Sequence, residues 1–191
     1  MKSLYINTTG KNLILGFKDG DRYYSFESDG THQQSEEIFT AIEKVLQKNK
    51  ISDLDFIVCL GGPGSFTGIR LGLSVVKGFN IATDVPVIVI NNFMAAFYSL
   101  KEKSGEFYIT LLSGEKELFT EKFSDNGDVL EEGKLVKREN FKPYVKVFEN
   151  PLINPFDVMV EIEKNFDVKN FTQKPIEPTY IKPHYAKVKA K

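Results

Sequence analysis

The sequence holds one cysteine, Cys59, two histidines, His32 and His184, and no tryptophan. A single cysteine excludes an intramolecular disulfide and fits a reducing compartment. The same scarcity leaves a tetrahedral Cys/His zinc cage without enough ligands. Only three of the 25 basic residues are arginine, namely Arg22, Arg70 and Arg138. The guanidinium fork is the group best matched to phosphates and base edges, so its rarity argues against a dedicated nucleic-acid reader. No apolar run approaches the roughly 18–20 residues that a membrane-spanning helix needs. The opening residues, Met1-Lys2-Ser3-Leu4-Tyr5-Ile6-Asn7, lead into a strand-like segment rather than the long apolar stretch of a signal peptide. A cytoplasmic protein with no membrane contact is the expectation.

What is present describes an ordinary globular chain. It has 191 residues, 41% hydrophobic and 27% charged, with 25 basic residues against 26 acidic ones. That length gives one domain or two small lobes and enough chain to bury a core.

Short β-branched or aromatic runs at Leu4–Thr8, Leu13–Phe17 and Tyr23–Phe26 are separated by Thr9-Gly10 and Asp19-Gly20. Asp-Gly between apolar runs signals a hairpin, so three antiparallel strands are expected. Thr31 with Gln34 makes a capping box that opens a helix to about Lys48, with Ile38, Phe39, Ile42, Val45 and Leu46 on one face. Phe56–Leu60 and Val85–Ile90 are continuously apolar, as strands covered on both faces are. Helices are expected from about Thr67 to Ala82 and from Asn92 to about Lys101. The order β-β-β-α-β-α-β-α is an α/β arrangement that matches the ribonuclease-H-like fold.

From Phe107 onward the texture changes. Phe107–Leu112 and Lys116–Phe123 read as a hairpin around Ser113-Gly114, its aromatic residues spaced as a hairpin core. Tyr144–Phe148 reads as a further strand, and Phe156–Phe166 as a helix entered through Asn154-Pro155. The proline-rich stretch Pro175–Pro183 reads as an extended strap, followed by a short basic tail with Lys187, Lys189 and Lys191. Two lobes are expected, one over residues 1–103 and a reduced one over 104–191.

The densest motif is Leu60-Gly61-Gly62-Pro63-Gly64-Ser65-Phe66-Thr67-Gly68-Ile69-Arg70-Leu71-Gly72, set between a strand and a helix. It is not a Walker A loop, because no lysine follows the glycines. It misses the dinucleotide spacing Gly-x-Gly-x-x-Gly by one residue. It also misses the Gly-x-Ser-x-Gly nucleophile elbow by one residue. Two readings stand at this point: a tight strand-to-helix turn, or an anion or nucleotide loop using Thr8, Gly62, Gly64 and Ser65. In the following helix, Gly68, Gly72, Val75 and Phe79 form a stripe beginning with small residues, flanked by Ile69, Leu73 and Val76. Arg70, Ser74 and Lys77 make a narrow polar strip. Such a helix is either buried inside one α/β domain or approached closely by a partner helix.

The run from Gly62 to Gly72 resembles the signature of the TsaB (YeaZ) family, a subunit of the bacterial tRNA threonylcarbamoyladenosine machinery. Ile6-Asn7-Thr8 stands where that family has Ile-Asp-Thr, and His32 with Ser35-Glu36 resembles its His-Ser-containing first helix. Pro178-Thr179-Tyr180-Ile181-Lys182-Pro183 resembles its C-terminal strap. The middle of the second half matches poorly: Leu112-Ser113-Gly114-Glu115 stands in place of an Asp-Ala-Arg-x-Gly-like segment.

The resemblance implies an ASKHA (actin-like ATPase) fold and a non-catalytic scaffold that pairs with and activates a TsaD-like transferase. A TsaE-like ATPase would be the third protein, a homodimer would form in the partner's absence, and tRNA would be reached only through the complex. No cofactor is implied, with ATP or ADP at most weakly held or trapped at the interface. The implied partner interface is His32, Ser35, Phe39, Gly68, Arg70, Leu71, Gly72, Val75, Val76 and Phe79. Residue chemistry points the same way. Asn7 cannot hold a divalent ion as a carboxylate does, clustered carboxylates for a two-metal nuclease are missing, and no His-Glu-x-x-His is present for a peptidase. The alternative is a small ASKHA-type ATPase or phosphotransferase acting alone.

Overall fold

The computed structural model describes residues 1–30 and 33–181. Strands β1 (Lys2–Asn7), β2 (Ile14–Asp19) and β3 (Arg22–Glu27) form an antiparallel meander. Its second turn closes on the pair Asp19 and Arg22, with Gly20 at φ 60° as a tight hairpin turn requires. Helix α1 (Gln34–Leu46), β4 (Phe56–Leu60), α2 (Phe66–Thr83), β5 (Val87–Ile90) and α3 (Asn92–Ser99) follow. The sheet order is β3-β2-β1-β4-β5, with β1 antiparallel to β2 and parallel to β4. This is the ribonuclease-H-like order that the sequence predicts.

Strand parity divides the core. Leu4, Ile6, Leu15, Phe17, Ile57 and Cys59 point to the face covered by α1 and α2. Tyr5, Phe56, Val58 and Leu60 point to the opposite face, where Ala95 of α3 meets Val158, Met159 and Ile162 of α4 (Pro155–Asn165). Both faces of the central strands are therefore buried, which is why those strands read as unbroken apolar runs. The entry of α4 lies directly over β2: a Cβ at Gly16 would sit 2.8 Å from Pro155 Cβ. Lys18 adds an ion pair to Glu163 of α4 at 2.6 Å.

The chain divides into two compact units, and the division differs from a simple cut at residue 103. Met1–Lys101 and Leu152–Thr179 make one unit, while Glu102–Pro151 belongs to the second. Helix α4 and the first part of the strap, residues 175–179, expected in the second lobe, belong to the first unit, where Val158, Met159, Ile162 and Ile176 complete its core. The second unit is a four-stranded sheet of order β8-β7-β6-β9, comprising β6 (Phe107–Ser113), β7 (Glu117–Phe123), β8 (Val129–Lys137) and β9 (Lys146–Glu149). The hairpin around Ser113-Gly114 is present, as is the strand near Tyr144–Phe148. Strand β8 is an addition.

One cap differs from expectation. Helix α1 begins at Gln34 with Gln33 at the N-cap and no side-chain cap bond. Instead of closing a capping box, the Gln34 carboxamide donates to the carbonyls of Gly10 and Lys11, tying α1 to the β1–β2 loop. Thr31, the other half of the expected box, lies outside the described residues.

Glu121 is a buried acid on the apolar side of the second sheet. It pairs in register with Ile109, between the Phe119–Leu111 and Phe123–Phe107 pairs. Its Oε1 accepts from the Gly133 amide at 3.1 Å, and its Oε2 is buried without a partner among the described residues. Burial pushes its carboxyl up to about 7, an effect that the Gly133 hydrogen bond opposes and the Glu132 charge reinforces. A carboxyl whose folded value lies above its unfolded value favours the fold while protonated, and that stability is lost as pH rises from about 4.5 toward 7. The variant Glu121→Gln keeps an acceptor for Gly133 and removes the titration. It should melt at a higher temperature than the parent at pH 8, with the gap closing by pH 5; a pH-independent gap in thermal melts would refute this role.

Candidate functional site

In a doubly covered α/β sheet, ligands collect outside the carboxyl ends of the strands. Here that region is the end of β1 (Asn7-Thr8-Thr9), the β4–α2 loop (Gly61–Ser65) and the start of α3. Asn7 turns the chain back on itself: its Oδ1 accepts from the Thr9 amide at 2.9 Å and from the Thr9 hydroxyl at 2.8 Å. Thr9 Oγ1 in turn accepts from the Asn92 carboxamide at 2.6 Å, and the same nitrogen donates to the Pro63 carbonyl at 3.0 Å. Only Asn92 Oδ1 is left buried and unpartnered in this cluster among the described residues.

The proposed anion loop is filled by the chain's own groups. The Thr8 hydroxyl donates to the Gly68 carbonyl at 2.6 Å. The Ser65 amide donates to the Thr9 carbonyl at 2.7 Å, and the Ser65 hydroxyl caps α2 by accepting from the Gly68 amide at 3.2 Å. Gly64 lies against the Thr9 carbonyl, where a Cβ would collide, and Gly62 (φ 106°) has the Thr179 carbonyl above it. Thr8, Gly62, Gly64 and Ser65 therefore build a tight strand-to-helix turn in which the Ser65 and Gly68 amides are already engaged, while Gly64, Ser65 and Thr67 stay exposed.

The small-residue stripe of α2 is also explained from within. A Cβ at Gly68 would overlap the Thr8 carbonyl, and one at Gly72 would lie 2.5 Å from Thr8 Oγ1 and 3.3 Å from Cys59 Sγ. Both glycines are buried because α2 crosses the end of β1 with no side chain between them. Val75 and Val76 are buried in the same core, at 8% and 0% exposure. Gly68, Gly72, Val75 and Val76 are thus not free to meet a partner helix. The Cys59 thiol beneath Gly72 is pushed up to about 12 by burial, so it behaves as a small apolar group rather than a nucleophile.

The outward face of α2 is a different set of residues. Thr67, Arg70, Ser74, Lys77, Gly78 and Ile81 are exposed, and Leu71 is half-buried. Their spacing of three and four residues makes one continuous helical stripe. The Arg70 guanidinium lies 3.8 Å from the centre of the Phe66 ring, a cation–π contact that holds it along the helix start. Ser35 of α1 shares a groove of about 590 Å³ with Arg70, Leu71 and Ser74. Farther along, Phe39 is 57% exposed and meets Phe79 edge-on at 6.4 Å, and Ile81 is 83% exposed.

Of the expected interface, the structure brings Ser35, Phe39, Arg70, Leu71 and Phe79 to one side of the first unit. His32 lies outside the described residues, as does the basic tail with Lys187, Lys189 and Lys191. Ile81 was not singled out by sequence reasoning, although it falls on the helical stripe through Arg70, Ser74 and Lys77. Among the described residues, no group of three or more His, Cys, Asp or Glu could hold a metal ion, and no helix is long and apolar enough to cross a membrane.

Residues 29–136, more than half of the chain, match the family model for TsaD, tRNA N6-adenosine threonylcarbamoyltransferase. The tRNA threonylcarbamoyladenosine biosynthesis protein TsaB of Haemophilus influenzae is 33% identical over 95 residues, covering 49% of this chain and 39% of that protein. TsaB of Buchnera aphidicola from Baizongia pistaciae is 27% identical over 71 residues, covering 36% of this chain and 32% of that protein. These alignments span about a third of the length of the relatives, 32% and 39%. The solved structure of YeaZ from Pseudomonas aeruginosa superposes with a TM-score of 0.71 at 13% identity, covering 94% of this chain and 99% of that one. A second Pseudomonas aeruginosa structure, described as similar to peptidase YeaZ, gives 0.73 over 95% and 99% of the two chains. The fold of YeaZ thus extends over nearly all of this chain, including the second half where the sequences diverge. The chain belongs to the TsaB/YeaZ group of the tRNA N6-adenosine threonylcarbamoyltransferase family.

Proposed function

We propose that this protein is a non-catalytic pairing subunit of a cytoplasmic complex that makes threonylcarbamoyladenosine in tRNA. Family membership supports the process. The observation that carries the non-catalytic role is the turn at the carboxyl ends of the strands. There Thr8, Thr9 and Ser65 spend their hydrogen-bonding groups on the chain itself, and Asn7 presents an amide where a metal-binding fold would present a carboxylate.

The outward face of α1 and α2 is the proposed contact with a TsaD-like transferase, centred on Ser35, Phe39, Arg70, Leu71 and Ser74. In that arrangement the subunit contributes a rigid two-helix platform, and it leaves tRNA and the threonylcarbamoyl donor to its partner. A TsaE-like ATPase would join the paired subunits, and a homodimer through the same helices would form when the transferase is absent.

Mixing the protein with its TsaD-like counterpart should give a complex that co-elutes on size exclusion. Transferase activity independent of this chain, together with no co-elution, would sink the proposal. The variants Phe39→Lys, which also gives up the edge-on contact with Phe79, and Ser74→Arg should abolish co-elution, and Ser74→Arg, an exposed position where substitutions cost about 0.5 kcal/mol or less, should keep the parent's melting temperature. Pairing that persists in both variants would move the contact away from this face. By contrast, Gly72→Leu drives a side chain into Thr8 and Cys59, and overpacking of this kind costs about 1–3 kcal/mol. Its thermal melt should shift downward with or without a partner; an unchanged melt would show that α2 can move away from β1.

A further inference from the structure

Strand β5 is one edge of the first sheet, β3 being the other. The amide of Ile57 donates to the Pro86 carbonyl and the amide of Gly61 to the Ile90 carbonyl, so the even-numbered residues of β5 face β4. The backbone groups of Val87 and Val89 therefore face outward. Those of Val87 are both satisfied by one side chain: the Gln173 Oε1 accepts from the Val87 amide at 3.0 Å, and Gln173 Nε2 donates to the Val87 carbonyl at 2.9 Å. A carboxamide here takes the place of a neighbouring strand. The next outward rung, the N–H and C=O of Val89, has no partner among the described residues.

The strap leaves this rung open. It is pinned at Gln173, again by Ile176 in the core, and again where the Thr179 amide donates to the Gly61 carbonyl at 2.7 Å. Between those pins stand Pro175 and Pro178, which lack the N–H needed to pair with a strand edge. The result is a groove of about 830 Å³ whose floor is Val87–Ile90 and whose walls come from α4, the segment after it and the strap. Its rim carries the carboxylates of Asp167 and Glu177 and the ammonium of Lys174, while the Glu161 carboxylate is ion-paired with Lys164 at 2.6 Å and Asp167 also accepts from the Lys169 amide and the Asn170 carboxamide. Ile88, Val89 and Ile90 are half-exposed at its base.

We propose that this groove docks an extended, lysine- or arginine-bearing segment of a partner protein by strand addition to β5. The Val89 N–H and C=O would supply the backbone pairing, and the Asp167 and Glu177 carboxylates on the rim would select a cationic side chain. Gln173 shows that the edge accepts a group offering a carbonyl and an N–H side by side. An unpaired, apolar strand edge is ordinarily blocked by charge, proline or a covering segment, and here the cover stops one rung short. The site lies on a different edge of the sheet from the helical face proposed above, and it does not depend on that pairing.

The test uses the full chain and a synthetic peptide of alternating valine and threonine flanked by two lysines, titrated while backbone amide NMR shifts are followed. Binding at millimolar concentration or tighter should shift the Val87–Ile90 amides, with the Val89 amide moving most. N-methylation of the peptide amide facing Val89, or replacement of its lysines by glutamate, should weaken binding by about tenfold, the worth of one or two hydrogen bonds. Gln173→Ala exposes the Val87 rung and should strengthen binding several-fold. The proposal is overturned if no peptide binds, if N-methylation makes no difference, or if the shifts fall elsewhere. It is equally overturned if the Val89 amide is already protected from exchange in a self-associated protein, because a second copy would then be the occupant.

Discussion

The first unit depends on how closely α2 approaches the end of β1. With Gly68 over the Thr8 carbonyl and Gly72 over the Thr8 hydroxyl, helix and strand meet without an intervening side chain. That approach lets Thr8 donate to the Gly68 carbonyl and Ser65 donate to the Thr9 carbonyl, so the β1 terminus and the helix start satisfy each other. It fixes the rotation of α2, which sends Ile69, Leu73 and Val76 into the sheet and leaves Arg70, Ser74 and Lys77 outside. The composition of the outward stripe is a consequence of the inward one.

The same contact shapes the turn at the carboxyl ends of the strands. An anion at a strand-to-helix turn needs backbone amides pointing into open space. Here the turn collapses onto Thr9, and Asn7 and Asn92 form a neutral hydrogen-bonded cluster behind it. Beside this packed turn, the outward surface of α1 and α2 is accessible. The turn is held by the chain's own hydrogen bonds, and the groove beside it runs from Ser65 and Thr67 to Ser35, Arg70 and Ser74.

Element order and the doubly covered central sheet were legible in the sequence because unbroken apolar strands and amphipathic helices carry strong signals, whereas an unbroken apolar run does not say which residues face which side. The glycine stripe was legible as a stripe, but spacing alone does not say whether Gly68 and Gly72 face a neighbouring protein or the protein's own β1. Strand β8 escaped because most of Val129–Lys137 is exposed and carries Glu131, Glu132, Lys134 and Lys137, so the apolar alternation is diluted. The attachment of α4 was unreadable for another reason. Its helical pattern states that one face is buried, and only the three-dimensional seat over Gly16 states where. The Gln173 carboxamide, bonded to Val87 across 86 residues, leaves no local signal at all. The role of the outward α2 residues in pairing was suggested by family resemblance, and the geometry adds which of them are free to take part.

The discontinuity of the first unit has a consequence for how the protein is made. Its sheet is laid down by Ile90, yet the helix that covers one face and the strap that crosses its open end arrive only with Pro155–Thr179. During synthesis the face of Tyr5, Phe56, Val58 and Leu60, covered in part by Ala95 of α3, waits for α4 while Glu102–Pro151 emerges, a segment with its own sheet in which β6, β7 and β8 pair in sequence order. The inserted unit, rich in sequence-local pairings, is therefore placed to fold first, and the earlier-made unit to be completed last.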